Sequence, residues 1–478
     1  MQDDTRSRQQ TTPQTSERPD ADSHAESYAE SYDEAFDGRT PRPAYRRLLD
    51  RLDGADLDAL TVEVNALLAE RGVRFGGEEG HEFRVDPLPR VLSGEEWARI
   101  EAGVAQRVRA LDALVADAYG ERRLVADGVL PEAVLTGSSY FEEDVIGMRP
   151  VGGAWISVAG LDLVRGSDGG FRVLEDNVRT PSGLGYAMAA SDAVAEVLGV
   201  RPAREDVRSE LGAALSRALE AAAPALDGEL VLLTDGTSNS ASYEHGRLAE
   251  LAGLVLVTPA DLRRSGDRLL LTDGRPVRSV YRRTDDDRVR TSSGALTPVA
   301  ELLLEPLRAG SVGLANWFGA GVADDKFVYA FVDEVVRHLP GEEPVLPAVP
   351  TYDLRDPRQH AAALERAGEL VLKPRDGSGG QGVVVGPTAS PAELDSAVAG
   401  LRAAPEDWIV QELVALSTVP VVTDGRLAPR HCDLRPFGVF DGRDVVVPLG
   451  GLTRVALDEG SMVVNSSRRG GAKATWVG

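Results

Sequence analysis

From about Gly153 onward the chain alternates short apolar runs with glycine-rich turns and longer helical stretches: AWISVAG, FRVLEDN, ELVLLTD, LAGLVLVT and RSVYRR. Runs of this length, bounded by Gly, Asp and Asn, are too short for helices and read as strands. Their alternation with helices predicts an α/β chain with an open sheet. The last third repeats the texture with VLKP, GVVVG, WIVQEL and DVVVPLGG. Ahead of this region the periodicity is helical. Tyr45, Leu48, Leu49 and Leu52 share one stripe, as do Leu57, Leu60, Val64, Leu67 and Leu68. A longer helix is predicted from about Glu95 to Tyr119, with Trp97, Ile100, Val104, Val108, Leu111 and Val115 on one face. Residues 1–40 are polar and acidic and read as a disordered tail. We therefore expect a tail over 1–40, a mainly helical region over 41–150, an α/β region over 151–310 and a β-rich region over 311–478.

Composition bounds what such a chain can do. With 478 residues and 42% hydrophobic content it can build a large core. No run of about 18 apolar residues is present, and MQDDTRSRQQ lacks the apolar stretch of a secretory signal. The single cysteine, Cys432, cannot close an internal disulfide. A cytoplasmic protein is expected. The net charge of −24 repels nucleic acid and anionic membranes, so neither is an expected partner. Of the 52 basic residues only Lys326, Lys373 and Lys473 are lysine. In a chain that has exchanged almost every lysine for arginine, these three are candidates for sites where a compact charge must reach an anion. Survival on the surface is the plainer alternative.

Two constellations carry chemistry. In LDLVRGSDGGFRVLEDNVRTPSG, residues 161–183, the turn GSDGG separates two strand-like arms and predicts a hairpin. Glu175 and Asn177 are two apart and so share a face, and the hairpin can bring Asp162 beside them. Two carboxylates and an amide oxygen are hard ligands suited to Mg²⁺ shared with nucleotide phosphates; a solvated polar hairpin is the alternative. Arg179, Thr180, Ser182 and Gly183 follow as a donor-rich turn. The second constellation joins GVADDK, VLKPRDGSGGQGVVVG and IVQEL. Lys326 opens a helix, and Lys373 ends a strand. Gly377, Ser378, Gly379, Gly380, Gln381 and Gly382 form a loop whose backbone N–H groups can approach phosphate oxygens. Gln411, Glu412 and Leu413 are placed to read an adenine edge. An ordinary hairpin with an exposed lysine, or another kind of phosphate binder, remains open, although neither G-x-x-x-x-G-K-[ST] nor a strand-linked G-x-G-x-x-G occurs to support the latter.

Together these motifs resemble the circularly permuted ATP-grasp proteins of the second type, distantly similar to the synthetase half of glutathionylspermidine synthetase. The likeness spans about residues 32–478. It rests on YDEAFDG, EEWARIEAG, GLDLVR, VLEDNVRTPSG, the NSASYEH segment, VYRRTDDD, GVADDK, LSTVP, RHCDLRPFG, GGLTRVAL, GSMVVNSS and GGAKATWVG. The resemblance implies an α/β fold with α+β lobes: a permuted ATP-grasp with an N-terminal helical segment and a pre-ATP-grasp-like α/β subdomain. It implies that Asp162, Glu175 and Asn177 hold Mg²⁺, and that Lys326 and Lys373 hold ATP phosphates under the 377–382 lid. Three stretches depart from the family pattern: the tail segment, with Arg468 and Arg469 after the paired serines and Ala474 between Lys473 and Thr475; YAMAAS, with Ser191 where an arginine is usual; and the segment after Asp287, which lacks the usual hydrophobic-acidic continuation.

The expected activity is ATP- and Mg-dependent ligation of a small-molecule or peptide carboxylate to an amine through an acyl phosphate, making an amide or peptide bond. Arg179 and Arg454 are candidates to orient the carboxylate or its phosphate. Ser182, Asn239, Ser240, Tyr243, Glu244, His245 and Lys473 are candidates for contact with the substrates. Two rivals stand beside it: a catalytically quiet ATP-binding scaffold or sensor for a partner protein, and a kinase releasing a stable phosphorylated product.

Overall fold

The computed structural model describes residues 28, 30–77, 80–200, 207–223, 225–339, 341–377, 381–462, 464 and 471–478. Most of the expected tail lies outside these residues. Its last part is not tail-like: Glu34 is buried against Arg90, accepting from the guanidinium at 2.5 and 2.6 Å.

The predicted N-terminal helices form as α1 (Pro43–Leu52) and α2 (Leu57–Glu70), the second capped by the Asp56 side chain. Strand β1 (Val85–Leu92) leads into α3 (Gly94–Ala118), whose capping box pairs Ser93 with Glu96 and whose predicted stripe is buried. The hairpin follows as β2 (Val158–Arg165) and β3 (Phe171–Asn177), antiparallel, with Asp162 opposite Glu175 and Gly160 opposite Asn177. Next come α4 (Leu184–Leu198), α5 (Val207–Ala222), β4 (Glu229–Thr234), α6 (Ser242–Ala252), β5 (Val255–Val257), β6 (Val277–Arg283), α7 (Pro298–Arg308) and β7 (Gly313–Ala315). A small antiparallel sheet consists of β8 (Val371–Pro374), β9 (Val384–Val385) and β10 (Trp408–Gln411), in the order β9-β8-β10, with α8 (Pro391–Ala403) between its last two strands. The chain ends with β11 (Thr418–Thr423), β12 (Arg426–Arg435), β13 (Phe437–Phe440), β14 (Val445–Val446), β15 (Leu452–Val455) and β16 (Gly471–Val477).

The open parallel sheet is present with four strands in the order β7-β6-β4-β5. AWISVAG and FRVLEDN do not belong to it. They enter a nine-stranded sheet of order β14-β13-β2-β12-β15-β16-β1, with β3 on β2 and β11 on β12. The reason is local: a five-residue turn can close an antiparallel hairpin but cannot carry a parallel crossover. Only β16 and β1 pair in parallel here, joining the two ends of the chain.

Two buried polar contacts fix the hairpin. The fully buried Asn316, after β7, accepts from Ser157 N and Val158 N at 2.7 and 2.8 Å and donates to Val158 O and Val178 O, so one carboxamide stitches the two sheets together. On the rear face Asp176 takes a bidentate pair from Arg107 of α3, at 2.7 and 2.8 Å. Strand alternation then turns its neighbours Glu175 and Asn177 to the opposite face.

Candidate active site

That opposite face borders a cavity of about 370 Å³ lying between the nine-stranded and three-stranded sheets. Glu175 and Asn177 line it together, as the two-residue spacing predicts, and Asp162 joins them from β2. Lys326 and Lys373 enter from the other side. The Lys326 ammonium lies 3.0 Å from Glu175 Oε1 and donates to Gly377 O at 2.7 Å. Burial works against its charge, but Glu175, then Asp324, outweigh it and raise its pKa. Lys373 donates to the Gln411 side-chain oxygen. Burial pulls its pKa down to about 8, with Glu175 opposing and Lys326 adding to the shift. The strand is tied to the Lys326 helix through Arg375, whose Nη2 meets Asp325 Oδ2 at 2.9 Å.

Apolar side chains also line the cavity: Leu174 from the hairpin itself, with Val371, Val385, Leu413, Met462 and Val464. Leu413 is thus part of the apolar lining. Gln411 is buried, with its Nε2 donating to Thr351 at 3.0 Å. The Glu412 side chain and N–H are both engaged inside the protein, with Arg366 and Tyr352 and with Pro350 O. Of the loop, Gly377 and Gln381 line the cavity. Gly382 turns into β9 with φ of +72°, and Ser378, Gly379 and Gly380 lie outside the described residues.

Asp162 is not a free ligand. Arg435 grips both its oxygens, at 2.5 and 2.8 Å, and Arg454 reaches Oδ2 at 2.8 Å. Burial raises its pKa, but the two guanidiniums outweigh it and hold the carboxyl well below the ordinary range. Arg454 also binds Asp433, so the cavity floor carries two acids and two arginines. Arg435 was within reach of sequence reasoning: it sits two residues after Asp433 on β12, on the same face, inside RHCDLRPFG. Asp324, in GVADDK, was also overlooked. It lines the cavity and accepts from the Val178 and Arg179 amides at 2.7 and 3.2 Å. Arg179 lines the cavity too, paired with Asp287 at 2.9 Å and stacked 4.2 Å over the Tyr140 ring. Ser182 is beside it, its hydroxyl accepting from Arg283 at 2.7 Å.

Six expected substrate residues do not reach this cavity, and one of them, Tyr243, lines another cavity beside α4. Glu244 is fully buried and its Oε2 accepts from Gly183 N and Gly185 N, both at 2.8 Å, so it caps α4 from behind. His245 is buried between Thr234 and Arg283; burial, then Arg283, pushes its pKa down to about 2 and keeps the ring neutral. Asn239 bridges Asp235 and Asp285 at 2.9 Å each. Ser240 offers its carbonyl to Gly76 N at 2.9 Å. Lys473 is fully buried against Asp86 and Pro420 O. Arg468 and Arg469 lie outside the described residues.

The hairpin offers a hard cation two oxygen donors, Glu175, which is a third exposed, and the side-chain oxygen of Asn177. The Asn177 Nδ2 group, buried without a protein partner, is a hydrogen-bond donor and would not ligate the ion. Among the described residues no group of three His, Cys, Asp or Glu side chains is placed to hold a metal. A cation here would take only part of its coordination from protein, as Mg²⁺ does when it is shared with phosphates and water. No helix among these residues is long and apolar enough to cross a membrane.

Comparison with known proteins places this geometry in context. The profile of the family described as circularly permuted ATP-grasp type 2 matches residues 89–456. An uncharacterized protein of Mycobacterium tuberculosis is 42% identical over 451 residues, covering 91% of this chain and 82% of that one. A Frankia casuarinae protein provisionally named glutamate–cysteine ligase 2-2 is 43% identical over 454 residues; the match covers 91% of this chain but spans about half, 52%, of that protein. Among solved structures, a glutathione synthetase-like effector from Globodera pallida in its apo form superposes with a TM-score of 0.56 at 12% identity, over 88% of this chain and 96% of that one.

Proposed function

The chain belongs to the circularly permuted ATP-grasp type 2 family, and from that membership we propose that it is an ATP- and Mg-dependent carboxylate–amine ligase working through an acyl phosphate. The observation that carries this reading is the convergence of Glu175, Lys326 and Lys373, from distant segments, on one cavity that apolar side chains also line. Lys326 and Lys373 hold the triphosphate by fixed charge, with Gly377 and Gln381 lining the same cavity. Leu413 and the neighbouring apolar wall seat the base, beside Gln411 and Glu412. Glu175 and the side-chain oxygen of Asn177 are the donors that would hold Mg²⁺, which when bound offsets the charge of the phosphates, while Asp162 is held by Arg435 and Arg454.

Arg179 and Arg454, with Arg435, orient the substrate carboxylate. A carboxylate oxygen attacks the γ-phosphorus and ADP leaves, giving an acyl phosphate. The amine nitrogen then attacks the acyl carbon, orthophosphate leaves, and the nitrogen loses a proton as the amide forms. The protein contributes position and exclusion of water, since water would otherwise consume the acyl phosphate. The name of the Frankia relative describes a ligase of this class, but of a protein about twice as long, so its substrate pair is not carried over.

The test is ADP release by the full chain with Mg-ATP and pools of amino acids, polyamines and short peptides, with products read by mass spectrometry. A condensed product with free orthophosphate is expected, and Lys373→Ala and Glu175→Gln should each abolish it. Full activity in either variant overturns the site assignment. Nucleotide binding without substrate-stimulated turnover, or phosphate retained on a product hydroxyl, overturns the ligase reading itself.

A further inference from the structure

A second cavity, about 680 Å³ and so larger than the first, opens beside α4. Three arginines from separate elements reach it: Arg71 after α2, Arg208 at the start of α5 and Arg247 on α6. Tyr243 lies among them, and its phenol feels all three guanidiniums. Burial first, then Arg247 and to a smaller extent Arg71, lower the pKa of Arg208. In a chain of net charge −24, such a convergence is not the average surface.

Each guanidinium has an acidic neighbour: Arg71 pairs with Glu196 at 2.5 Å, Arg208 with Asp192 and Arg247 with Glu250. These pairs are partly exposed, with arginine side chains 33 to 46% accessible. Pairs of that kind are worth at most about 1 kcal/mol, so an incoming carboxylate can displace them. The cavity also adjoins the first. Gly183 and Leu452 line the nucleotide-sized cavity, while the next residues along, Leu184–Gly185 and Gly450–Gly451, line the second. Residues adjacent in sequence therefore line the two cavities at two places.

We propose that this cavity docks the carboxylate-bearing part of the amine substrate, an acidic amino acid or short acidic peptide. The proposal rests on the ligase reading for the identity of the ligand as a substrate. Guanidinium forks recognise carboxylates in bidentate fashion, and three of them on one wall select a ligand with more than one.

The experiment is a fluorescence-anisotropy titration of the full chain with labelled tetraglutamate, with tetraglutamine as the control. Wild type should bind tetraglutamate, and the affinity should fall at least tenfold in the Arg71→Gln/Arg247→Gln double variant. Arg208→Gln gives an independent single substitution, and Arg247→Lys should recover part of the loss. Melting temperature tracks folding of each variant. Equal affinity in wild type and the variants, or equal binding of tetraglutamine, overturns the proposal. If binding behaves as expected but no acidic peptide stimulates ADP release, the docking site stands and the ligase reading fails. If peptide-stimulated ADP release persists with unchanged KM in the double variant, the ligase reading stands and this site falls.

Discussion

Lys373 and Lys473 make an instructive pair. Both sit on strands and both have burial working to lower their pKa. On the edge of the nine-stranded sheet, Lys473 faces Asp86 directly across the parallel β16–β1 pairing and also donates to Pro420 O at 2.8 Å. Asp86 in turn accepts from Leu88 N and Val422 N at 3.0 and 2.7 Å. Every charge there is answered inside the protein. On the three-stranded sheet, the direct partner of Lys373 among the described residues is a neutral carboxamide oxygen, and Glu175, the carboxylate acting most strongly on it, is paired with Lys326. A buried ammonium matched to a carboxylate is structure. One left facing a cavity with a neutral partner is positioned for an anion that comes and goes.

The difference is sharpest under deletion. Lys373→Ala should lower ligase turnover by on the order of 10³-fold, the scale seen when one preorganised charge partner of a transition state is removed. Its thermal stability should hold or rise, because a poorly matched buried charge is gone. Single-turnover ADP formation and a melting curve measure both, and a stability loss comparable to the activity loss would erase the contrast. Lys473→Met should do the reverse. It leaves Asp86 buried without its ammonium and should cost about 3–5 kcal/mol in chemical denaturation, while the folded fraction keeps its nucleotide affinity. Adding Asp86→Asn should recover part of that loss, since the backbone donors keep an acceptor. Asn316→Ala should cost somewhat less, about 2–4 kcal/mol, by leaving backbone groups from both sheets unpaired.

What was legible in the sequence follows the same line. Local periodicity told which hairpin residues share a face, and Asp176 turning to Arg107 while Glu175 and Asn177 line the cavity is that rule at work. Turn length made the hairpin, and the rarity of lysine drew attention to three positions. Rarity could not separate them, because Asp86 lies at the far end of the chain and meets Lys473 only through the β16–β1 register. The same limit hid Arg435 on Asp162 and sent His245 and Glu244 to the substrate when both are built into the wall behind it. Partners set by pairing between distant strands leave no signature in either strand alone.

The titration of Lys373 gives the finest test of the comparison. The groups acting on it are Glu175 and Asp162, which favour its charge, and Lys326, which opposes it; burial is the largest influence and brings its pKa to about 8. A free lysine in the unfolded chain keeps its proton to about pH 10.4. Between about 8 and 10.4 the unfolded chain therefore holds a proton that the folded one has lost, so this residue makes stability rise with pH across that window. Nucleotide binding should run the opposite way. Only the ammonium form attracts a triphosphate, and the protonated fraction falls about tenfold between pH 7 and pH 9 for a pKa of about 8. Affinity for Mg-ATP should weaken by about that factor over the same range, with proton uptake on binding visible by calorimetry in buffers of different ionisation enthalpy. Lys373→Gln should flatten the profile near its alkaline limit, whereas Lys473→Met should keep the slope intact. A flat wild-type profile would mean that Lys373 is already paired as Lys473 is.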